Sequence, residues 1–276
     1  MLIRKGSRFS SGIIFSAGMV ISALILLVLG SQFSAAKQAA PEQSQANWNW
    51  DEYGGHPDES HYVQLDQINK SNVKQLKIAW TYPTQDELSY LFNPIEADGV
   101  LYALARDNSL VAINASNGKE IWVHAGMAGI SQRGISYWQS KDGKDRRLIF
   151  TIHNQIQEID ATTGRSILGF GTDGFVDLRI GLDRPVNQVY RIASGTPGQV
   201  YGNLIIEGAS TGEQYLSPPG DIRAYNVITG KKVWQFHTIP HPGDPGYSTW
   251  PKGSWKYAGG ADPWADMAVD QTQNHS

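Results

Sequence analysis

Apolar and polar positions alternate in short runs from about residue 100 to residue 237, and three of these runs share one ending. Residues 111–122, 157–168 and 223–234 pass through Ile113-Asn114, Ile159-Asp160 or Tyr225-Asn226, then through Asn117-Gly118, Thr163-Gly164 or Thr229-Gly230. Each closes on a large apolar residue (Trp122, Leu168 or Trp234) eight positions after the Asn or Asp. Alternation with a period of two is the mark of a half-buried strand. Gly after Asn or Thr supplies a tight turn, because it takes positive φ without a Cβ clash. A phrase that recurs inside one chain marks a repeated supersecondary unit. The pattern predicts strands at 100–105, 110–114 and 120–124, at 147–152, 156–160 and 167–170, and at 203–207, 221–226 and 232–237. A further strand is expected at 76–82 around Trp80, after a short helix or turn at 68–76 capped by Asn69 or Ser71. Another is expected at 267–270.

These units read as blades, and the fold class expected is all-β, a partial, open β-propeller. The longer spacing before the third unit comes from insertions at 171–197 and 209–220, which in propellers map to loops on one face, often the binding face. A ring must close to bury its strand edges. Three clear units with a partial one at either end do not close a ring, so the chain is expected to be the N-terminal part of a longer propeller. Residues 240–264 are dense in Pro, Gly and aromatics, too irregular for a strand, and read either as a functional loop or as an apolar cover over the blade ends.

Composition narrows the classes. The 276 residues carry a formal charge of −3, with 29 Gly, 9 Trp and 12 Tyr but only 18% charged residues. Such a mixture suits an all-β chain with many turns and lacks the basic face that nucleic acid requires. Arg4, Lys5 and Arg8 precede an uncharged apolar run at 12–30, followed by small residues. That is the pattern of an export signal or of a membrane anchor helix, with the N-terminus held inside by its positive flank. Residues 1–30 are therefore expected as signal peptide or anchor, 31–47 as linker and 48–276 as the propeller, in the periplasm or otherwise outside the cytoplasm. The chain has no cysteine, so it forms no disulfide and contains no Cys-x-x-Cys-His haem attachment site.

Three phrases outside the repeat occur in a telling order. They are Leu65-Asp66-Gln67-Ile68-Asn69 with Asn72-Val73-Lys74-Gln75-Leu76, then Gln132-Arg133-Gly134-Ile135-Ser136-Tyr137-Trp138, then Gly259-Gly260-Ala261-Asp262-Pro263-Trp264 followed by Asp270. Together they resemble the pyrroloquinoline-quinone (PQQ)-dependent dehydrogenases of the glucose and alcohol type, over about residues 47–276. The resemblance implies four-stranded blades, PQQ and Ca²⁺ as cofactors, a sugar or alcohol substrate, and a quinone or cytochrome as electron acceptor.

The residue types suit that cofactor. PQQ is a flat ortho-quinone with carboxylates, and needs an apolar floor, guanidinium partners and a divalent cation. The resemblance makes Trp264 the floor and Arg133 a carboxylate clamp. It puts Ser194 and Thr196 at the ring edge, Ser210 and Thr211 as further polar contacts, Asp262 as another cofactor contact and Glu213 as a Ca²⁺ ligand. Trp122 and Trp234 read instead as blade-packing residues. The chain also departs from the family pattern. Met127-Ala128 stands where many members have adjacent cysteines, Gly129 where some have a histidine, and Leu91-Phe92-Asn93-Pro94 supplies no first-blade acid. In this family the catalytic Asp and further metal ligands come from later blades, so the chain alone is expected to be inactive. The alternative is a non-catalytic periplasmic propeller that binds protein partners. It needs neither the Arg-Gly phrase nor the Gly-Gly phrase.

Overall fold

The computed structural model describes residues 49–271 except 213, 215, 264 and 265. The expected N-terminal helix at 1–30 and the linker lie outside the described residues. Among the described residues there is no α-helix, and no helix long and apolar enough to cross a membrane.

Among the described residues, twelve strands form three antiparallel sheets, each a four-stranded meander. Sheet 1 holds β1 (Ile95–Ala97), β2 (Val100–Ala105), β3 (Ser109–Asn114) and β4 (Glu120–His124). Sheet 2 holds β5 (Ser136–Gln139), β6 (Arg146–Ile152), β7 (Gln155–Asp160) and β8 (Phe175–Asp177). Sheet 3 holds β9 (Gln199–Tyr201), β10 (Leu204–Glu207), β11 (Ile222–Asn226) and β12 (Lys232–Phe236). The middle strands are covered on both faces. From β6, Leu148, Phe150 and Ile152 pack with Leu110, Ala112 and Tyr102 of sheet 1. Ile149, from the other face of β6, packs with Ile205 and Tyr225 of sheet 3. The period-two pattern thus sorts side chains between two neighbours rather than between core and solvent.

The recurring phrase builds the same turn three times. The amide of Gly118, Gly164 or Gly230 donates to the carbonyl of Asn114, Asp160 or Asn226 at 2.8–2.9 Å. The Asx side chain accepts from amides two or three residues on, for instance Thr162 and Thr163 to Asp160 Oδ1 at 2.9 and 2.7 Å. The glycines sit at φ 71°, 70° and 70°, where a Cβ would be strained. The tight turn expected at each glycine is therefore present, and the Asx side chain caps it.

Each turn also receives a donor from a neighbouring segment. Trp80 Nε1 donates to the Ala115 carbonyl at 2.8 Å, and Trp122 Nε1 to the Ala161 carbonyl at 3.0 Å. A Cβ on Gly118 or Gly164 would come within 2.8 or 2.7 Å of the respective indole. The second unit ends in Leu168, so the third turn has no indole. Its equivalent carbonyl, Val227, accepts from Arg147 Nη1 at 3.0 Å, and Gly230 packs on the Gly171 backbone. Trp234 holds the same phase as Trp122 and is 39% exposed.

Several expectations change. The strand at 167–170 does not form. Ser166 makes one bridge to Ile159, and the chain then turns so that Phe170 is fully buried in the core between sheets 2 and 3. β8 completes the edge opposite Gln155–Gln157. The segment 76–82 joins no ladder, since its Trp80 and Tyr82 side chains lie on the Val111 and Ile113 face of sheet 1 and Pro83 ends the run. Residues 267–270 form no strand; the Val269 amide donates to the Pro57 carbonyl at 2.7 Å. The only helical turn near residue 70 is a 3₁₀ turn, Val73–Gln75, which begins after Asn72 without a side-chain cap. Asn69 Oδ1 accepts instead from the Ser71 amide and hydroxyl. The innermost strands β1, β5 and β9 were not expected; they are three or four residues long, too short to show a period.

Trp122→Ala is expected to lower stability by about 2–4 kcal/mol in urea unfolding. Gly164→Ala is expected to cost about 1–3 kcal/mol, from strain at positive φ plus collision with the indole. The double variant should cost less than the sum by at least about 0.5 kcal/mol, because removing the indole makes room for the methyl. Full additivity would refute the packing.

Candidate functional site

Arg133 lies on the loop between β4 and β5, where tight backbone contacts fix its position. Gly134 takes φ +128°, and a Cβ there would lie 2.9 Å from the Asn93 carbonyl. Ser131 Oγ donates to the Gly134 carbonyl at 2.6 Å, and the Ser131 amide to the Thr151 carbonyl at 2.8 Å. The Arg133 amide donates to the Gly195 carbonyl at 3.0 Å, which places Arg133 beside Ser194 and Thr196. Its guanidinium meets Asp266. Nη1 lies 3.2 and 3.3 Å from the two carboxylate oxygens, while the side chain stays 45% exposed. One nitrogen makes both contacts, so the two-nitrogen fork of a bidentate pair is not formed with Asp266.

The other expected residues join in pairs. Ser194 and Thr196 are buried, and their hydroxyls share a 2.7 Å hydrogen bond. Asp262 Oδ2 accepts from the Thr211 amide at 2.7 Å, which engages that carboxylate in holding the 209–212 loop. The Ser210 amide donates to the Ile192 carbonyl at 3.0 Å, which ties this loop to the segment carrying Ser194. The first glycine of the Gly259-Gly260 phrase has a steric reason, and the second takes φ +75°. A Cβ on Gly259 would overlap the Ser217 carbonyl, and one on Gly220 would overlap Asp262, so the two backbones can pass only without side chains. Trp264 and Glu213 lie outside the described residues. Around position 264, Pro263 packs on Gly208 and Asp266 on Arg133.

Sequence reasoning missed three buried or partly buried glutamates, Glu59, Glu52 and Glu207. Glu59 Oε1 accepts from Gln199 Nε2, and burial together with the Asp266 charge raises the Glu59 carboxyl above its ordinary range. Glu52 is pushed up to about 8 by burial, then by Asp51, Glu59 and Asp58. Glu207 is fully enclosed next to Gly198. Burial lifts it to about 8 against the opposing charge of Arg223, and neither of its oxygens has a partner among the described residues. No phrase flags these positions, because each is an acid in an otherwise ordinary strand or loop.

A cavity of about 340 Å³ opens between the 129–132 loop, the β6–β7 turn and residues 190–195, and Ser131, Thr151 and Ser194 line it. Its rim explains one departure from the family pattern. Gly129 faces the His153 imidazole so closely that a Cβ would lie 2.5 Å from Cε1. A histidine thus reaches this place from β6–β7, although residue 129 has none. Residues 240–260 are tied to the loop at 183–184, where Arg184 donates to the Trp255 and Ala258 carbonyls at 3.3 and 2.9 Å. His237 and His241 stack at 3.7 Å and 4°, and each imidazole is held by a carboxylate. His237 Nδ1 pairs with Asp244 at 2.8 Å, and His241 Nε2 with Asp183 at 2.7 Å.

The family profile for the glucose/ethanol/alcohol dehydrogenase β-propeller domain, named for PQQ, matches residues 50–275. The chain belongs to this PQQ-dependent dehydrogenase family. It is 28% identical to a quinate/shikimate dehydrogenase (quinone) of Acinetobacter baylyi over 82% of this chain and 32% of that protein. It is 27% identical to the dehydrogenase subunit of an alcohol dehydrogenase (quinone) of Gluconacetobacter polyoxogenes over 96% and 38%. The chain thus spans about a third of the length of these curated relatives. Among solved structures, quinohemoprotein alcohol dehydrogenase ADHIIG of Pseudomonas putida shares the fold, with a TM-score of 0.62, 24% identity and coverage of 81% of this chain and 33% of that one.

The raised carboxyl of Glu207 sets a pH dependence. Folding keeps it protonated between its ordinary 4.5 and about 8, a window in which the unfolded chain releases the proton. Stability should therefore fall as pH rises through that window. Glu207→Gln is expected to flatten part of the slope and to be the more stable protein at pH 8, by about 1–3 kcal/mol. Urea midpoints measured from pH 5 to pH 8 check this, and an unchanged slope would refute it.

Proposed function

We propose that the chain is the N-terminal part of an exported PQQ-dependent dehydrogenase that oxidises a sugar or alcohol and passes electrons to a quinone or cytochrome. Family membership supports the cofactor class, and one observation carries the reading to this chain's residues. The loops carrying Arg133, Ser194 with Thr196, Ser210 with Thr211, and Asp262 are tied to one another by hydrogen bonds from Arg133 to Gly195, Ser210 to Ile192 and Thr211 to Asp262. The donor set fits the group. A buried, hydroxyl-lined cavity wall adjoins an arginine, and the Thr151 hydroxyl has no partner among the described residues, as suits a ring edge rich in carbonyl and carboxylate acceptors.

When bound, PQQ supplies an ortho-quinone able to accept hydride from an alcohol carbon. The residues of this chain orient it. The Ser194–Thr196 pair presents hydroxyls, Arg133 offers the two nitrogens that Asp266 does not use, and Trp264 is the proposed floor. Asp262 keeps the Thr211 loop in place. Among the described residues no group of three or more His, Asp or Glu could hold a metal. The Ca²⁺ reading rests on Glu213 together with ligands from further blades. Trp234, exposed in the phase where Trp122 covers the next turn, is the proposed contact to such a blade. Residues 1–30 are the proposed export signal or membrane anchor, and the catalytic base is the proposed contribution of a later blade.

The test is titration of the 276-residue protein with PQQ, followed by tryptophan quenching. Saturable binding is expected, and Arg133→Ala should weaken it by about 10–100-fold, the loss of a charge-assisted hydrogen bond. Absence of saturable binding, or an affinity indifferent to Arg133→Ala, would overturn the reading. Dye-linked oxidation of glucose or ethanol by the same chain with PQQ and Ca²⁺ would overturn the assignment of the base to a later blade.

A further inference from the structure

The cavity beside Arg133 has a charged mouth that the reading above leaves unused. Its floor is neutral and buried. Ser131 Oγ is engaged with the Gly134 carbonyl and Ser194 Oγ with Thr196. Thr151, 1% exposed, keeps a hydroxyl with no partner among the described residues, and a buried hydroxyl left so is destabilising until a ligand accepts from it. The cavity's exposed lining includes His153 and Arg191, and among the described residues neither side chain has a hydrogen-bond or ion-pair partner.

Both groups are held in place by backbone. His153 takes φ +55°, uncommon for a residue with a side chain. Its amide donates to the Gly129 carbonyl at 3.2 Å, and its ring lies against Gly129, where any side chain would displace it. Asn154 grips the opposite wall. Its Oδ1 accepts from the Ile192 amide at 2.9 Å and its Nδ2 donates to the Tyr190 carbonyl at 3.1 Å, bracketing Arg191. The residues lining the cavity include no Asp or Glu. An arginine and an imidazole at the mouth, a free hydroxyl on the floor and no internal anion together make a receptor for a carboxylate.

We infer that His153 and Arg191 bind one carboxylate of the planar cofactor at the mouth of this cavity, with Thr151 contacting the same edge, and so act as cofactor-selecting residues in addition to Arg133. This rests on the PQQ reading, and the experiment separates the two. The full chain and its His153→Gln and Arg191→Gln variants are titrated with PQQ and with its uncharged trimethyl ester, with far-UV circular dichroism to verify folding. The wild type should prefer PQQ to the ester by at least about tenfold, each variant should lose about tenfold in PQQ affinity, and ester affinity should stay unchanged. Two differently placed variants are used so that a defect peculiar to the strained position 153 does not decide the outcome. If the wild type binds PQQ, and both variants bind PQQ and ester as the wild type does, the inference fails while the PQQ reading stands. If the wild type binds neither compound, both fall.

Discussion

One carbonyl per blade, that of the residue after the Asx in the outer turn, holds the sheets in register. In sheets 1 and 2 it accepts an indole N–H from the preceding segment, and the indole ring lies flat on the turn glycine. Sheets packed face to face through aliphatic side chains can slide, since burial is not directional. A hydrogen bond to a fixed carbonyl is directional and pins the outer edges. The loops carrying Arg133, Ser194 and Thr211 leave the far ends of the same strands, so the register of the sheets sets the spacing of those side chains.

The third turn shows that position and donor matter more than residue type. The second repeat ends in Leu168 and has no indole to offer. Its strand breaks off after Ser166, Phe170 dives into the core, and the Gly171 backbone covers Gly230. Arg147 then supplies the missing donor to Val227 from inside the interface. Its other contacts neutralise it. Glu158 lies at 2.8 Å, Asp145 at 2.7 Å, and the Trp138 ring at 5.6 Å. Pairing of this kind offsets the cost of burying the guanidinium.

The repeat was legible because its turn is local chemistry: an Asx acceptor, a Thr or Ser, and a glycine at positive φ within six residues. The middle strands were legible because they are long and alternate. The inner strands were not, since Ile95–Ala97 and Gln199–Tyr201 are strands only through their ladder partners. Of the candidate residues, Arg133 and Asp262 came from phrases and Ser194, Thr196 and Thr211 from the family resemblance; Arg133 meets the 194–196 segment and Asp262 meets Thr211. Asp266, Glu59, Thr151 and His153 carried no signal, because a partner across more than one hundred residues, or a hydroxyl facing a cavity, leaves no mark on local pattern.

The Arg133–Asp266 contact bears on how the site would accept an anion. With only one nitrogen engaged, and at 3.2–3.3 Å, the guanidinium keeps donors available to a second carboxylate without leaving the first. Asp266 also holds the arginine in one orientation, which lowers the ordering cost of binding. The acid has a cost of its own, because it raises the neighbouring Glu59 and would repel an incoming carboxylate. Cationic groups on the opposite side of the ligand therefore matter more here than in a site whose arginine is unpaired. Arg191, on a cavity whose lining residues include no Asp or Glu, is the proposed compensating group, and the backbone bond from Arg133 to Gly195 ties the 133 loop to the segment that carries it.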